Sequence, residues 1–545
     1  MNPIPKLKPF LEQKQNLLQS VLIFLCFLSW LSIVYAPALY GQFAIQDDYA
    51  LLTRDEDINH YWDISECKQR GRYLAAYVVK YSALWVRNVS ELSRLRWITL
   101  FCYSFCSMIT FVYLRKYLKS RGQSFFLTVA VYSLPPFNNM IAQGLGIVGA
   151  LSLIPAALAG GFFAKFVSCK RWSTLFRLKS FWWAILLLVS SLMLYQPSAM
   201  YFWLVGILVV LAEAGHSMNS MRSQLSNLFT AGLTGIGAYG GIFQITRLFS
   251  SDGTRMFPGQ DVYSFIFNFF EQIFGFASGA VYISLNLWNM FPRNSYAAVF
   301  VGIVLMTFLL YLIRNASAQP QDLRRLIQKP AAIALIWVSL SLLSFLPNLV
   351  ALGYSPYYRS YLTLASLVLI SLFLMIRYGV LTLKGNGGVR ILTVFLCLVA
   401  LWGSYNAFKS TYQYYVFPQQ LELEYVKSHL DPNVIKRYEE ILLVLPDSAG
   451  NLFNGRDSHL QPFTTFVHNK NAMVRCAFIE NGAKTVWVGG GAKDLLKCKI
   501  LVKGGFMTRH YSIFWQFPGD PYRIRPQRLV IDMNNLFSYL KQIKS

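Results

Sequence analysis

The sequence predicts an α-helical polytopic membrane protein with a small α/β domain at its C-terminal end. Three observations carry this. The 545 residues are 55% hydrophobic and 14% charged, where a soluble domain carries about 25% charged residues. Apolar runs long enough to cross a hydrocarbon core of roughly 30 Å recur through residues 1–407, and residues 408–545 contain none. Loops rich in Lys and Arg alternate with loops poor in them, as the positive-inside rule requires of a multi-span chain. The 42 Phe, 32 Tyr and 13 Trp suit aromatic belts at both interfaces. A net charge of +25 fits basic cytoplasmic loops and attraction to anionic lipid, so no nucleic-acid partner is inferred.

Residues 1–16 contain Lys6, Lys8 and Lys14 and read as cytoplasmic. The run Leu17–Ala36 is too long for a signal-peptide core and lacks a small-residue cleavage pattern, so it reads as a retained first span. An island of charge follows, Gln46–Arg72. It holds Asp47, Asp48, Asp55, Glu56, Asp57, Asp63 and Glu66, seven of the chain's 25 acidic residues. Within Gly71–Val86, Leu74, Tyr77, Val78, Tyr81, Leu84 and Trp85 recur at helical spacing. That pattern suits a helix lying along the membrane surface, or one packed on the spans.

Span two, near Trp97–Leu114, returns to a basic loop, and span three starts at Ser124. It meets Pro135-Pro136 and the polar, irregular segment Pro135–Gly146. Such backbone at membrane depth is tolerated only when buried in protein or lining a wet cavity. Spans four to seven follow at about Ile147–Val167, Phe181–Tyr195, Ala199–Ala214 and Leu225–Phe249. Val262–Asn294 is aromatic-rich but interrupted, and reads as re-entrant or surface-lying helices. Tyr296–Ile313, Ala331–Val350, Tyr361–Ile376 and Ile391–Ala407 complete about eleven spans. The Gly-rich basic loop Arg377–Arg390 joins the last two, and the short outer loop Gly353–Ser360 precedes span ten.

Two regions result. Residues 1–407 form the membrane domain, whose first outer loop is 37–96, and residues 408–545 form a soluble domain on the outer side. In the latter, Leu421–Leu430 and Leu529–Ile543 read as helices, and Ile441–Leu445, Lys484–Val488 and Ile500–Val502 as strands. Gly489-Gly490-Gly491 reads as a turn rather than a phosphate loop, because the Walker spacing is absent. Of the eight Cys, Cys476 and Cys498 are candidates for a disulfide in an oxidising compartment. No Cys/His metal spacing occurs, so neither a metal nor another cofactor is expected.

A transferase working on a lipid-linked phosphosugar needs a carboxylate to accept a hydroxyl proton, cations for the departing phosphate and an apolar groove. Asp47 or Asp48 suits the first role; a solvated acidic face is the plainer reading of the pair. Arg forks suit the second, with Arg70, Arg72, Arg255, Arg293 and Arg359 as candidates in outer segments. Arg359 stands among Tyr354, Tyr357 and Tyr358 in a short loop, where an interfacial anchor is the alternative. Trp62 suits stacking on a sugar, or a place in an aromatic belt.

These residues carry a resemblance. Acidic residues in the first outer loop, a following interfacial helix, many spans and a soluble C-terminal domain resemble the GT-C class of lipid-linked glycosyltransferases. More narrowly, QDDYALLTRD (Gln46–Asp55) followed by Trp62 and GRYLAAYV (Gly71–Val78) is similar to the glucosyltransferase family of serotype-converting O-antigen modifying enzymes. The motif covers about Phe43–Val86, and the rest corresponds by span pattern.

The resemblance implies a multi-pass protein of a bacterial inner membrane, N-terminus cytoplasmic and C-terminal domain periplasmic. It implies undecaprenyl-phosphate glucose as donor, lipid-linked O-antigen or another envelope polysaccharide as acceptor, and inversion at the anomeric carbon. Asp47 or Asp48 would be the base, with Arg70, Arg72, Arg359, Tyr357, Tyr358 and Trp62 binding substrate. The rival readings are a polyprenyl-linked glycan flippase or transporter, and a non-catalytic assembly partner. Few charges fall within the spans, which disfavours ion-coupled transport.

Overall fold

The computed structural model describes residues 7–45, 47–53, 67, 71–169, 172–214, 218–249, 284–288, 343–344, 346, 358–429, 440–444, 499–503 and 528–532. Over these residues the protein is mostly helical. Helices α1 (Leu7–Val34) and α2 (Ala36–Tyr40) lead to α3 (Asp47–Thr53) and α4 (Tyr73–Trp85). Then come α5 (Leu92–Leu118), α6 (Arg121–Tyr132), the short α7 (Pro135–Ala142), α8 (Ile147–Phe163) and α9 (Trp172–Leu175). They are followed by α10 (Lys179–Leu194), the one-turn α11 (Gln196–Ala199), α12 (Tyr201–Ala214) and α13 (Met218–Phe249). Last in the bundle are α14 (Leu362–Ser410), a π-helical turn at Thr411–Val416 and α15 (Phe417–His429).

Among the described residues, five helical stretches are long and apolar enough to cross a membrane: Val89–Leu118, Gly144–Phe163, Gln196–Glu213, Ser220–Thr246 and Gly387–His429. Leu18–Val34, Lys179–Leu194 and Leu362–Arg377 are shorter apolar helices. The exterior shows what solvent these helices need. Leu18, Val21, Leu22 and Leu25 form an exposed stripe on α1, and Val394, Leu398, Leu401, Trp402 and Tyr405 form one on α14. Their opposite faces, with Phe27 and Leu31 on α1 and Leu392, Leu396 and Ala400 on α14, are buried. In water each outward Leu would forgo about 1.5–3 kcal/mol of burial. A helix apolar all round belongs in a core or a bilayer, and these outer faces have no protein neighbour among the described residues.

Inside, packing and polar satisfaction hold the bundle together. Gly232 of α13 lies flat against the Trp203 indole of α12, where even a methyl group would collide. Small residues permit such close approach between membrane helices. Several buried hydroxyls tie the helices together, as a medium without water favours. Tyr201 bonds Thr110 and Tyr132, and the Tyr35 hydroxyl donates to the Tyr132 carbonyl. These links join α1, α5, α6 and α12.

The helical run Leu362–Ser410 contains 49 residues. A straight helix of that length would extend about 73 Å. Yet the 3₁₀ turn Tyr358–Tyr361 just before it packs on α7, and Ser410 at its far end accepts from Asn138 of α7 at 2.9 Å. An element of 8 residues is only about 12 Å long, so the run must double back. Its middle does so at the opposite end of the bundle, where Arg377 donates to the Leu118 carbonyl at 3.3 Å and Gln123 to the Val389 carbonyl at 3.1 Å. The arms before and after the Gly-rich segment therefore run antiparallel, as expected of the tenth and eleventh spans.

The bundle has two chemically different ends. One gathers the α5–α6, α8–α10 and Arg377–Arg390 connections, with Arg115, Lys116, Lys119, Arg121 and Arg177. The other gathers the first acidic segment, α7, α11 and the π turn. Glu213, the acidic residue of span six, is at the basic end, 3.5 Å from Lys116.

Three parallel strands lie beyond the bundle: β1 (Glu440–Val444), β2 (Lys499–Lys503) and β3 (Arg528–Asp532), in the order β2-β1-β3. The register sets Glu440 between Lys499 and Arg528, and the apolar rows Ile441, Ile500, Leu529 and Leu442, Leu501, Val530 beside them. Apolar rows across a parallel sheet suit burial on both faces.

Two sequence expectations change here. Leu529–Ile543 reads as a helix in the sequence, but its first four residues belong to the strand Arg528–Asp532, and residues 533–543 lie outside the described residues. The three apolar residues Leu529–Ile531 read either way in isolation, and pairing with β1 decides it. The boundary at 408 falls inside continuous helix, which runs on through Thr411–Val416 to His429. Span eight, span nine apart from residues 343–344 and 346, Val262–Asn294 apart from residues 284–288, Lys484–Val488 and the Cys476–Cys498 pair lie outside the described residues.

Candidate functional site

The chain leaves α2 through the irregular segment 41–45, which starts with an extended Gly41, and α3 begins at Asp47. What holds it is Arg96, fully buried near the start of α5. Its guanidinium donates to the carbonyls of Phe43 (2.7 Å), Ala142 (3.1 Å), Ala38 (3.3 Å) and Gly41 (3.3 Å). It also lies 3.7 Å from the centre of the Phe43 ring, a cation–π contact. One side chain therefore gathers the end of α2, the irregular segment and the last residue of α7.

Asp48 completes the clamp. It is fully buried. Its carboxylate accepts from the backbone amides of Gly144 (3.0 Å), Leu145 (3.1 Å) and Ile45 (3.2 Å), and sits 3.8 Å from the Arg96 guanidinium. Burial pushes the Asp48 carboxyl above the ordinary carboxylate range, while Arg96 and the three amides pull against that shift. A carboxylate so enclosed has its lone pairs committed to fixed donors. Asp48 pins α3 to the Gly144–Gly146 turn after α7. Asp47, one residue earlier, opens α3.

Arg72 opens α4 from the other side. Its Nε donates to Gln196 of α11 at 2.9 Å, and its guanidinium lies 4.8 Å from the Tyr195 ring. Gln196 in turn donates to Tyr239 of α13 at 2.8 Å, whose hydroxyl donates to the Gly71 carbonyl at 3.2 Å. Gly71 has φ +71°, and a Cβ there would strike the Tyr239 hydroxyl. Gly71→Ala is therefore expected to cost about 1–3 kcal/mol for the left-handed backbone alone, with repacking against Tyr239 added. A lowered unfolding midpoint in detergent checks this; an unchanged midpoint would show that Tyr239 yields freely.

Helix α4 buries Ala75, Ala76, Val79 and Ser82 and turns Leu74, Tyr77, Tyr81, Leu84 and Trp85 outward. It packs on α3 and α10, so it is both a packed loop helix and the bearer of an exposed apolar face.

The third element is the Tyr358–Tyr361 turn, which carries Tyr358 and Arg359 and packs on α7 and α11. Thus the elements bearing Asp47 and Asp48, Arg72, and Arg359 all border α7, α11 or the turn between α7 and α8. Trp62, Arg70 and Tyr357 lie outside the described residues.

Helix α7 itself is buried throughout. Asn138 donates to Ser410 at 2.9 Å and Asn139 to the Tyr415 hydroxyl at 3.1 Å. Both amide oxygens, with the Thr411 hydroxyl, have no hydrogen-bond partner among the described residues. Each such buried atom costs about 1–3 kcal/mol. Ser198 of α11 and Thr363 at the start of α14 add two more. The buried carboxyl of Glu422 on α15 is also unpaired among the described residues.

Arg96 was missed by sequence reasoning, although an Arg inside the first turns of an apolar span is itself a signal. Gln196 and Asn138–Asn139 were visible only as irregular, polar breaks. No protein-family model matches the chain, and no curated protein or solved structure matches it significantly.

Proposed function

We propose that the protein is an integral-membrane glycosyltransferase that moves a glucosyl unit from undecaprenyl-phosphate glucose to lipid-linked O-antigen or another envelope polysaccharide. The observation that carries the reading is the convergence of the acidic segment, Arg72 and the Arg359 turn on α7 and α11, at one end of a bundle with a lipid-facing exterior. Asp47 takes the proton of the acceptor hydroxyl. The freed oxygen forms a bond to the anomeric carbon as the bond from that carbon to the phosphate oxygen breaks, with inversion. The electron pair leaves on the lipid phosphate, whose growing charge Arg72 and Arg359 meet with planar forks. Asp48, clamped by Arg96, positions Asp47 and does not itself exchange protons.

The buried charges Asp48, Arg96 and Glu422 all belong to the acidic-loop end. Among the described residues they are not strung along the spans as an ion path, which favours an enzyme over an ion-coupled transporter. In this reading the acidic-loop end faces the periplasm, and the sheet β1–β3 belongs to a periplasmic α/β domain.

The direct test is transfer of labelled glucose from a polyprenyl-phosphate donor by the reconstituted protein. Movement of donor across the bilayer without transfer would identify a flippase instead. Topology has its own test. An alkaline phosphatase fusion after Phe408 should be active and one after Arg325 inactive; the reverse pattern places the acidic segment in the cytoplasm and removes the mechanism.

A further inference from the structure

We propose that Asn138, Asn139 and Thr411 form the subsite that reads the hydroxyl groups of the transferred sugar. The inference rests on the donor reading above and adds the residues that determine sugar specificity.

Three observations point there. First, all three side chains are buried to within 1% of complete enclosure, yet the two amide oxygens and the hydroxyl are unpartnered among the described residues. The Asn138 amide is oriented by its own bonds. Its nitrogen donates to Ser410 and reaches the Ala407 carbonyl at 3.5 Å, so its oxygen must point away from both. Buried polar atoms of this kind are normally matched by protein, water or ligand.

Second, the atoms sit on two packed departures from regular helix. One is the break at Ser133-Leu134 that starts α7. The other is the π-helical turn Thr411–Val416, a geometry that recurs at functional sites. Irregular backbone in a membrane bundle is tolerated where it lines a cavity or is enclosed by protein.

Third, the chemistry selects a ligand class. Neither PPFNNMIA (Pro135–Ala142) nor TYQYYV (Thr411–Val416) contains a charged residue. Two carbonyl oxygens repel an anion and call for O–H donors, so the phosphate does not sit here. A neutral hexose supplies several hydroxyls. The C-terminal end of α7, three residues beyond Asn139, is held by Arg96 at the Ala142 carbonyl, next to the turn that Asp48 binds. The short helix therefore forms one wall between the sugar-reading groups and the base. Admission of the sugar requires a covering element to move, and the Tyr358–Tyr361 turn on α7 and α11 is placed to do so.

The experiment measures binding of two probes to the full-length protein in detergent: short-chain polyprenyl-phosphate hexoses (glucose, galactose, mannose) and the same polyprenyl phosphate without sugar. Wild type should prefer one hexosyl lipid over the bare phosphate. Asn139→Ala and the isosteric Thr411→Val should each lose about tenfold of that preference, the equivalent of one hydrogen bond, while binding the bare phosphate as wild type does. Deoxy-hexosyl lipids offered to unmodified protein give a second measure free of folding effects. At least one position should be discriminated, and that discrimination should vanish in a variant. If no hexosyl lipid is preferred, the donor reading fails and this subsite with it. If a hexosyl lipid is preferred and both variants keep the full preference, the donor reading stands and the subsite is overturned, its orphan atoms being met by buried water only.

Discussion

An Asp47→Asn protein should transfer sugar about 10²–10⁴ times more slowly than wild type, the usual cost of removing a general base, while inserting and folding normally. The two side chains are nearly isosteric. Asp47 is the first residue of α3, and the clamp that places α3 is built from Asp48 and Arg96 instead. Loss should appear in turnover, with donor affinity near wild type, because in the proposed mechanism the base acts on the acceptor hydroxyl and the donor phosphate is held elsewhere. The measurement is single-turnover transfer at matched membrane expression. Near-wild-type turnover would remove Asp47 from the mechanism and turn attention to Asp55, Asp57, Asp63 and Asp252.

Asp48→Asn should behave differently, failing in stability and activity together. The carboxylate accepts from three backbone amides and faces a guanidinium. An amide in its place turns an –NH₂ toward donors and leaves Arg96 buried without its counter-charge. Breaking a buried pair from one side typically costs about 3–5 kcal/mol. Arg96→Met should be at least as damaging, because it also strands the carbonyls of Ala38, Gly41, Phe43 and Ala142. The double variant should lose less than the sum of the two, since the Coulombic partner is then absent from both sides. Thermal unfolding of the four proteins in detergent measures this coupling. If Asp48→Asn is as stable as wild type but inactive, the buried carboxylate is itself the base and the roles of the pair exchange.

The outward apolar stripes on α1 and α14 explain why the fold class was legible. Lipid-facing residues must be apolar wherever they stand, so composition and run length report them without knowledge of neighbours. Helices form at all the expected spans that the described residues cover, and the hairpin in Leu362–Ser410 turns where a Gly-rich basic segment stands. Strand β3 shows the limit. Arg528–Asp532 is too short to declare its own conformation, and only pairing with β1 settled it.

Legibility of the site was uneven for a related reason. Carboxylates and cations in an outer segment are conspicuous in an apolar chain, so Asp47, Asp48, Arg72 and Arg359 were named from the sequence. What the fold makes of Asp48 was not visible. Asp47 and Asp48 are chemically identical neighbours, and what fixes Asp48 is a guanidinium 48 positions along the chain and two amides nearly a hundred positions away. By itself the sequence determined that the described helices need an apolar surrounding, because that follows from the local cost of placing polar groups in lipid. Tertiary structure alone decided that Asp48 is a clamp, that Arg96 is its partner and that Asn138 and Asn139 face the π turn. These depend on which distant backbone amides and carbonyls meet, and a backbone amide looks the same at every position in a sequence.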